Sequence, residues 1–285
     1  MTAEAASPVL STTSPPRSAR RDLLELAVGY TLIMATIWTP NPTQRILYWL
    51  AFAWIVATTW ARRDGWTALG LGRKGLRESL WVVGVALLFS AAAIFIASRT
   101  HALHRLHGPT PIYLHGWGYI VWSIMQQFLL QSYFLLRLLR LLPGKAAPIL
   151  AATGIFALAH LPNPILTPIT FIWGVIACLL FLRYRNIYAL GLAHGIMGLC
   201  VAVTIPSTLH HNMRVGLGYL RYHPRAQNRR VADRRLPEQQ GFTGSSLVSH
   251  SGSLIAKATE PGAPYLDFEM WAFARRREPL TQPKP

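Results

Sequence analysis

Seven stretches of this chain are too apolar and too long to suit the surface of a water-soluble fold: 23–39, 46–60, 80–97, 117–136, 146–159, 169–182 and 187–205. A helix needs about 20 apolar residues to cross a hydrocarbon core about 30 Å thick. Inside that core every backbone N–H and C=O must find a partner within the protein, and a helix does this without help. The pattern therefore predicts an all-α, multi-pass transmembrane bundle of about seven spans. The fifth and sixth stretches are short and flanked by proline, which fits partial spans or a tilted hairpin. Composition agrees. Charged residues make up 14% of the 285 positions and hydrophobic ones 52%, whereas soluble domains carry about 25% charged residues.

The net charge of +17 does not point to nucleic acid, because the basic residues sit at span boundaries. Arg17, Arg20 and Arg21 precede the first stretch. Arg62, Arg63, Arg73, Lys74 and Arg77 follow the second, Arg137, Arg140 and Lys145 the fourth, and Arg183 and Arg185 the sixth. Alternate boundaries thus share one sign, and the positive-inside rule puts them and the N-terminus in the cytoplasm. The lipid bilayer is the expected partner. The first apolar run starts late, is long and lacks a small-residue cleavage site, so it reads as a span and not a cleaved signal. A plasma or inner membrane follows as the expected location. Residues 66–78 mix Leu69, Leu71 and Leu76 with Arg73, Lys74 and Arg77, the pattern of a short helix lying on the cytoplasmic surface. The expected organisation is a disordered N-terminus (1–20), a helical membrane domain (21–206) and a polar, basic, disordered tail (207–285). That tail holds 12 of the 28 Lys and Arg. An odd number of spans would place it outside; an eighth membrane element would bring it back.

Polar groups at membrane depth are costly and face a bundle interior, a cavity or a site. Gln126, Gln127 and Gln131 lie in the fourth stretch, and Ser123, Gln127 and Gln131 recur every four residues on one helix face. His160 ends the fifth stretch, just before Pro162-Asn163-Pro164. His194 lies inside the seventh. Any one of these suits a hydrogen bond that holds two helices together. Three clusters in consecutive spans suit a shared site. His101, His104 and His107 follow the third stretch at a spacing that puts them near one helix face, but no Cys or carboxylate accompanies them as a further metal ligand. Cys178 and Cys200 both lie in apolar runs and read as small buried hydrophobes.

In order and spacing, these clusters resemble the CPBP intramembrane proteases. That group contains the eukaryotic type II CAAX prenyl endopeptidase and bacterial relatives tied to bacteriocin self-immunity. The family's three ordered motifs are EExxxR, FxxxH and HxxxN or HxxxD. They align here with Gln126-Gln127-Phe-Leu-Leu-Gln131, Phe156-Ala-Leu-Ala-His160 and His194-Gly-Ile-Met-Gly198. The stretches 171–174 and 186–194, and Leu69-Gly-Leu-Gly, look like the family too, so the resemblance spans about 60–205. It implies a peptidase acting on or binding a membrane-embedded peptide. His160, His194, Gln126 and Gln127 would stand at the catalytic positions, and Gln131, Ser123 and Asn163 are candidates for holding substrate.

The departures bear on chemistry. Both motif glutamates are Gln, the arginine is Gln131 and the final Asn is Gly198. A neutral amide is no general base near neutral pH, and base catalysis contributes about 10²–10⁴-fold. A lost oxyanion donor costs about 10²–10³-fold. Between 23 and 206 the acids are Glu25, Asp64 and Glu78, read here as flanking spans or lying in surface segments. Two imidazoles with amide oxygens are a poor cage for Zn²⁺, so neither a metal nor another cofactor is expected. Loss of Glu together with Arg leaves no unpaired charge, as in a site rebuilt from neutral groups. These features predict impaired or absent hydrolysis. The alternatives are a non-catalytic binding or scaffold protein of the same fold, and a small transporter with the Gln/His cluster lining a polar path.

Overall fold

The computed structural model describes residues 17–103 and 112–222, all of them helix, turn or irregular chain. The helices are α1 (Arg17–Trp38), α2 (Thr43–Arg62), α3 (Leu76–Arg99), α4 (Ile112–Gln127), α5 (Leu136–Leu141), α6 (Ala146–Leu158), α7 (Leu166–Tyr184), α8 (Ile187–Thr204), α9 (Ser207–His210) and α10 (Gly216–Leu220). A π-helical segment, Phe128–Leu135, joins α4 to α5 in one continuous rod. Each apolar stretch expected to span has become a helix, with ends set by local chemistry. Asn186 caps α8 by accepting from the backbone N–H of Tyr188 and Ala189. Arg63 and Arg185 end α2 and α7 in the left-handed conformation.

The bundle is assembled around the rod. Every residue from Leu130 to Leu138 is buried, as expected of a helix apolar on all sides. The most extensively packed helix pairs are α8 with α3 and α4, α6 with α7, and α1 with α2. The outward faces remain oily: Leu80, Val85, Leu88, Phe89 and Ile96 on α3, and Ile172 and Leu179 on α7, are exposed. Contiguous apolar surface of this kind is what lipid covers. Among the described residues, α3, α7 and α8 are each long and apolar enough to cross a membrane alone. α6 is apolar but shorter, and the π segment divides the rod. The molecule is an all-α membrane helix bundle.

Expectations for two segments need correction. Residues 66–75 are a run of turns, and helix begins only at Leu76. Gly70 and Gly75 both have φ of +72°, and a Cβ on Gly75 would overlap the Tyr184 carbonyl. Glycines that permit such close contact also break a helix. The segment is pinned by its carbonyls. Ser132 donates to Leu69 O (2.6 Å), Ile187 N to Gly70 O (3.0 Å) and Asn186 Nδ2 to Gly72 O (3.1 Å). Residues 207–222, expected to belong to the tail, instead fold back: α10 packs on α1, and Gly216 N donates to Leu161 O at 2.8 Å. The rest of the tail and the N-terminal residues before 17 lie outside the described residues.

At the other end, α1, α2 and α5 meet in a buried ion cluster. Glu25 is 4% exposed. It pairs with Arg21 (2.8 Å), Arg62 (2.7 Å) and Arg137 (2.9 Å), and Asp22 pairs with Arg62 (2.5 Å). Arg140 reaches Asp64 at 2.7 Å. Tyr133 Oη and Trp54 Nε1 donate to the Glu25 carbonyl, and the Arg137 guanidinium lies over the Tyr133 ring at 3.9 Å. Glu25 is therefore no surface residue. It is the knot that ties three helices, and the ends it joins are those whose basic residues were assigned to one side. Removing one partner of a buried pair costs about 3–5 kcal/mol. Glu25→Leu should lower the stability of the detergent-solubilised protein by about that amount, measured by denaturant unfolding, and Glu25→Leu with Arg137→Leu should recover most of the loss.

Candidate functional site

The site is built where α4 and α8 touch. Gly191 and Gly195 of α8 face α4. A Cβ added at Gly191 would come within 2.7 Å of Ile124 Cα, and one at Gly195 within 3.2 Å of Ile120 Cα. Small residues four apart let membrane helices approach this closely. Close backbones bring the side chains between them into direct contact. Gln127 Nε2 stands 3.1 Å from His194 Nδ1, and Gln131 Nε2 donates to Gln127 Oε1 at 3.2 Å. Gln127 and Gln131 are fully buried, and His194 is 7% exposed. The π segment begins one residue after Gln127, and Gln131 lies within it.

Since an amide nitrogen only donates, His194 Nδ1 accepts and the proton sits on Nε2. His160 has the opposite arrangement. Its Nδ1 lies 2.8 Å from the Phe156 carbonyl, which can only accept, so Nδ1 carries the proton and Nε2 the lone pair. The Phe156 ring joins the two histidines, its centroid 4.9 Å from that of His160 and 6.2 Å from that of His194. Trp173 of α7 covers His194 from another side at 6.0 Å. His160, at the end of α6, is thereby drawn into the bundle. The site offers one imidazole donor and one imidazole acceptor, set among carboxamides and aromatic rings.

The other sequence candidates lie around this group or apart from it. Gln126 is half-buried and outside the hydrogen-bonded chain. The buried Ser123 hydroxyl donates to the Tyr119 carbonyl one turn back, at 2.8 Å. Asn163 is buried with both ends of its amide engaged. Its Oδ1 accepts from Ile165 N and Leu166 N, starting α7, and its Nδ2 donates to the carbonyls of His210 and Arg214 at 2.9 Å each. It clamps the folded-back segment 207–222. Cys178 and Cys200 are free and buried; Cys178 lies 3.9 Å from Thr153 Oγ1. His101 is exposed after α3, and His104 and His107 lie outside the described residues.

The donor set does not fit a resident Zn²⁺. Zinc takes three or four His, Cys or carboxylate ligands. Here two imidazoles already engage their Nδ1 atoms, and the remaining donors are carboxamides. Among the described residues no three His, Cys, Asp or Glu are grouped to hold a metal ion.

Two participants escaped the sequence reading. Trp173 sits in mid-helix, whereas membrane tryptophans favour the interfaces; that displacement was the available signal. Tyr119 continues the four-residue spacing of Ser123 and Gln127. Its ring fills the space beside Gly198, where an added Cβ would meet Cε1 at 2.6 Å and Cζ at 2.7 Å. Gly198 is thus matched by a tyrosine on the facing helix. Overpacking a filled site costs about 1–3 kcal/mol. Gly198→Asn should destabilise the protein by that amount in denaturant unfolding, and Tyr119→Ala in the same chain should relieve most of it.

No curated protein and no solved structure matches this chain. One protein-family model does, over residues 108–200, a stretch that contains the rod, both histidines, Trp173 and Gly198. That model is described as type II CAAX prenyl endopeptidase Rce1-like, the family that the ordered motifs resemble.

Proposed function

We propose that this membrane protein binds a membrane-embedded peptide segment at the Gln127–His194–His160 site and does not hydrolyse it. The observation that carries this reading is the hydrogen-bonded chain Gln131–Gln127–His194. It puts neutral amides where water activation needs a base, and a carboxamide cannot take a proton from water near neutral pH. The buried carboxylates do not substitute: Asp22 and Glu25 are tied to arginines. What remains is a set of neutral donors and acceptors. Such a set suits a peptide backbone, which brings N–H and C=O groups that hydrocarbon leaves unsatisfied. The family's description as a CAAX prenyl endopeptidase makes a prenylated CAAX sequence the substrate class to test first. We also place the N-terminus and the ion cluster on the cytoplasmic side of a plasma or inner membrane, following the positive-inside rule.

One observation favours a second reading, slow hydrolysis by an altered mechanism. His160 is held as the tautomer with its lone pair on Nε2, so it has the form of a base.

A single experiment separates the two. The detergent-purified protein is incubated with a dye-labelled farnesylated CAAX peptide and with a dye-labelled transmembrane peptide. We expect saturable binding by fluorescence anisotropy, weakened in Gln127→Leu, and a cleavage rate equal to that of His160→Ala. Cleavage by the wild type that disappears in His160→Ala would establish hydrolysis and end the binding-only reading.

A further inference from the structure

Trp173 holds a hydrogen-bond donor for which the described residues provide no acceptor. Its Nε1 is buried without a partner, and the residue as a whole is 9% exposed. Buried indole N–H groups normally have a partner, and an orphan in a native fold calls for an explanation. Trp173 lies in a closely packed part of the bundle. Its neighbour Gly174 is pressed against α6, where an added Cβ would meet Thr153 Cγ2 at 2.8 Å, and the ring itself leans on His194 with centroids 6.0 Å apart. Carbonyls in the middle of the surrounding helices are already spent on their own helical bonds.

Resting on the peptide-binding reading above, we propose that the Trp173 indole N–H donates to a backbone carbonyl of the bound peptide segment. The missing group is an acceptor. A carboxylate would be costly at this depth without a cation, and the buried arginines are occupied in the cluster at the other end of the rod. A neutral carbonyl suits. Lipid ester carbonyls stay at the interface, while Trp173 lies seven residues into α7, roughly 10 Å along the helix. A peptide entering the bundle brings carbonyls to that depth. The indole N–H, on a ring whose centroid lies 6.0 Å from that of His194, then supplies a donor to that backbone.

The test is a titration of ¹⁵N-tryptophan-labelled wild-type protein in detergent micelles with the unlabelled farnesylated and transmembrane peptides. Trp173 is assigned by the indole signal missing from Trp173→Phe. Its indole proton should move downfield with peptide and stay put when phosphatidylcholine alone is added. Trp173→Phe keeps a ring in place and should bind dye-labelled peptide about 2- to 12-fold more weakly, the range for one neutral hydrogen bond. Peptide binding during which none of the ten tryptophan indole protons moves overturns the inference, and needs no variant to be seen. Equal affinity of Trp173→Phe and wild type also overturns it. If the wild type binds neither peptide, the proposed function falls and this inference with it.

Discussion

The close approach of α4 and α8 is the contact on which the site depends. In hydrocarbon nothing outside the protein can satisfy an amide or an imidazole, so such groups must find one another. Gly191 and Gly195 bring the two backbones close enough for that meeting. Gln127 then bridges His194 and Gln131, three polar side chains in an otherwise oily interface. A single such bond across membrane helices is worth about 0.6 kcal/mol on average. The chain contributes more to placing His194 and choosing its tautomer than to stability.

Charge and function are kept apart in this bundle. The ionic groups gather at one end, where Glu25 and Asp22 hold arginines from α1, α2 and α5. The middle of the bundle is neutral. A Glu-Glu-Arg motif in the rod would place charges in that neutral middle, where this chain carries Gln126, Gln127 and Gln131. A single charge at one of these positions, without a partner, would be buried unpaired at a cost of several kcal/mol. Gly198 and Tyr119 are matched in volume: the glycine leaves room on one helix, and a ring from the facing helix fills it.

Much of this was legible in the residues. The apolar run 80–97 became Leu76–Arg99, 169–182 became Leu166–Tyr184 and 187–205 became Ile187–Thr204, because apolar length and flanking Pro, Gly and Arg mark where a membrane helix can begin and end. The four-residue spacing of Gln127 and Gln131 also showed that they could touch. Other features had no such signature. The π turn at Phe128–Leu135 is a change of hydrogen-bond register, and its residues are those of any apolar helix. Glu25 looked peripheral because its partners Arg62 and Arg137 lie 37 and 112 positions away. In the segment before α3, glycines that mark turns were outweighed by a pattern of leucines and basic residues. Asn163 read as a polar residue beside a histidine, whereas its amide is spent on capping α7 and holding a segment some fifty residues downstream.

The claim that carries the account is the neutral chain from Gln131 through Gln127 to His194. The imidazole ¹⁵N spectrum of His194 reads it directly, with the signals assigned by their loss in His194→Phe. The account predicts a neutral ring whose Nδ1 is unprotonated and accepts a hydrogen bond. That signal should shift in Gln127→Leu, and to a smaller degree in Gln131→Leu, which touches His194 only through Gln127. An Nδ1 signal identical in wild type and Gln127→Leu would contradict the contact, and with it the site.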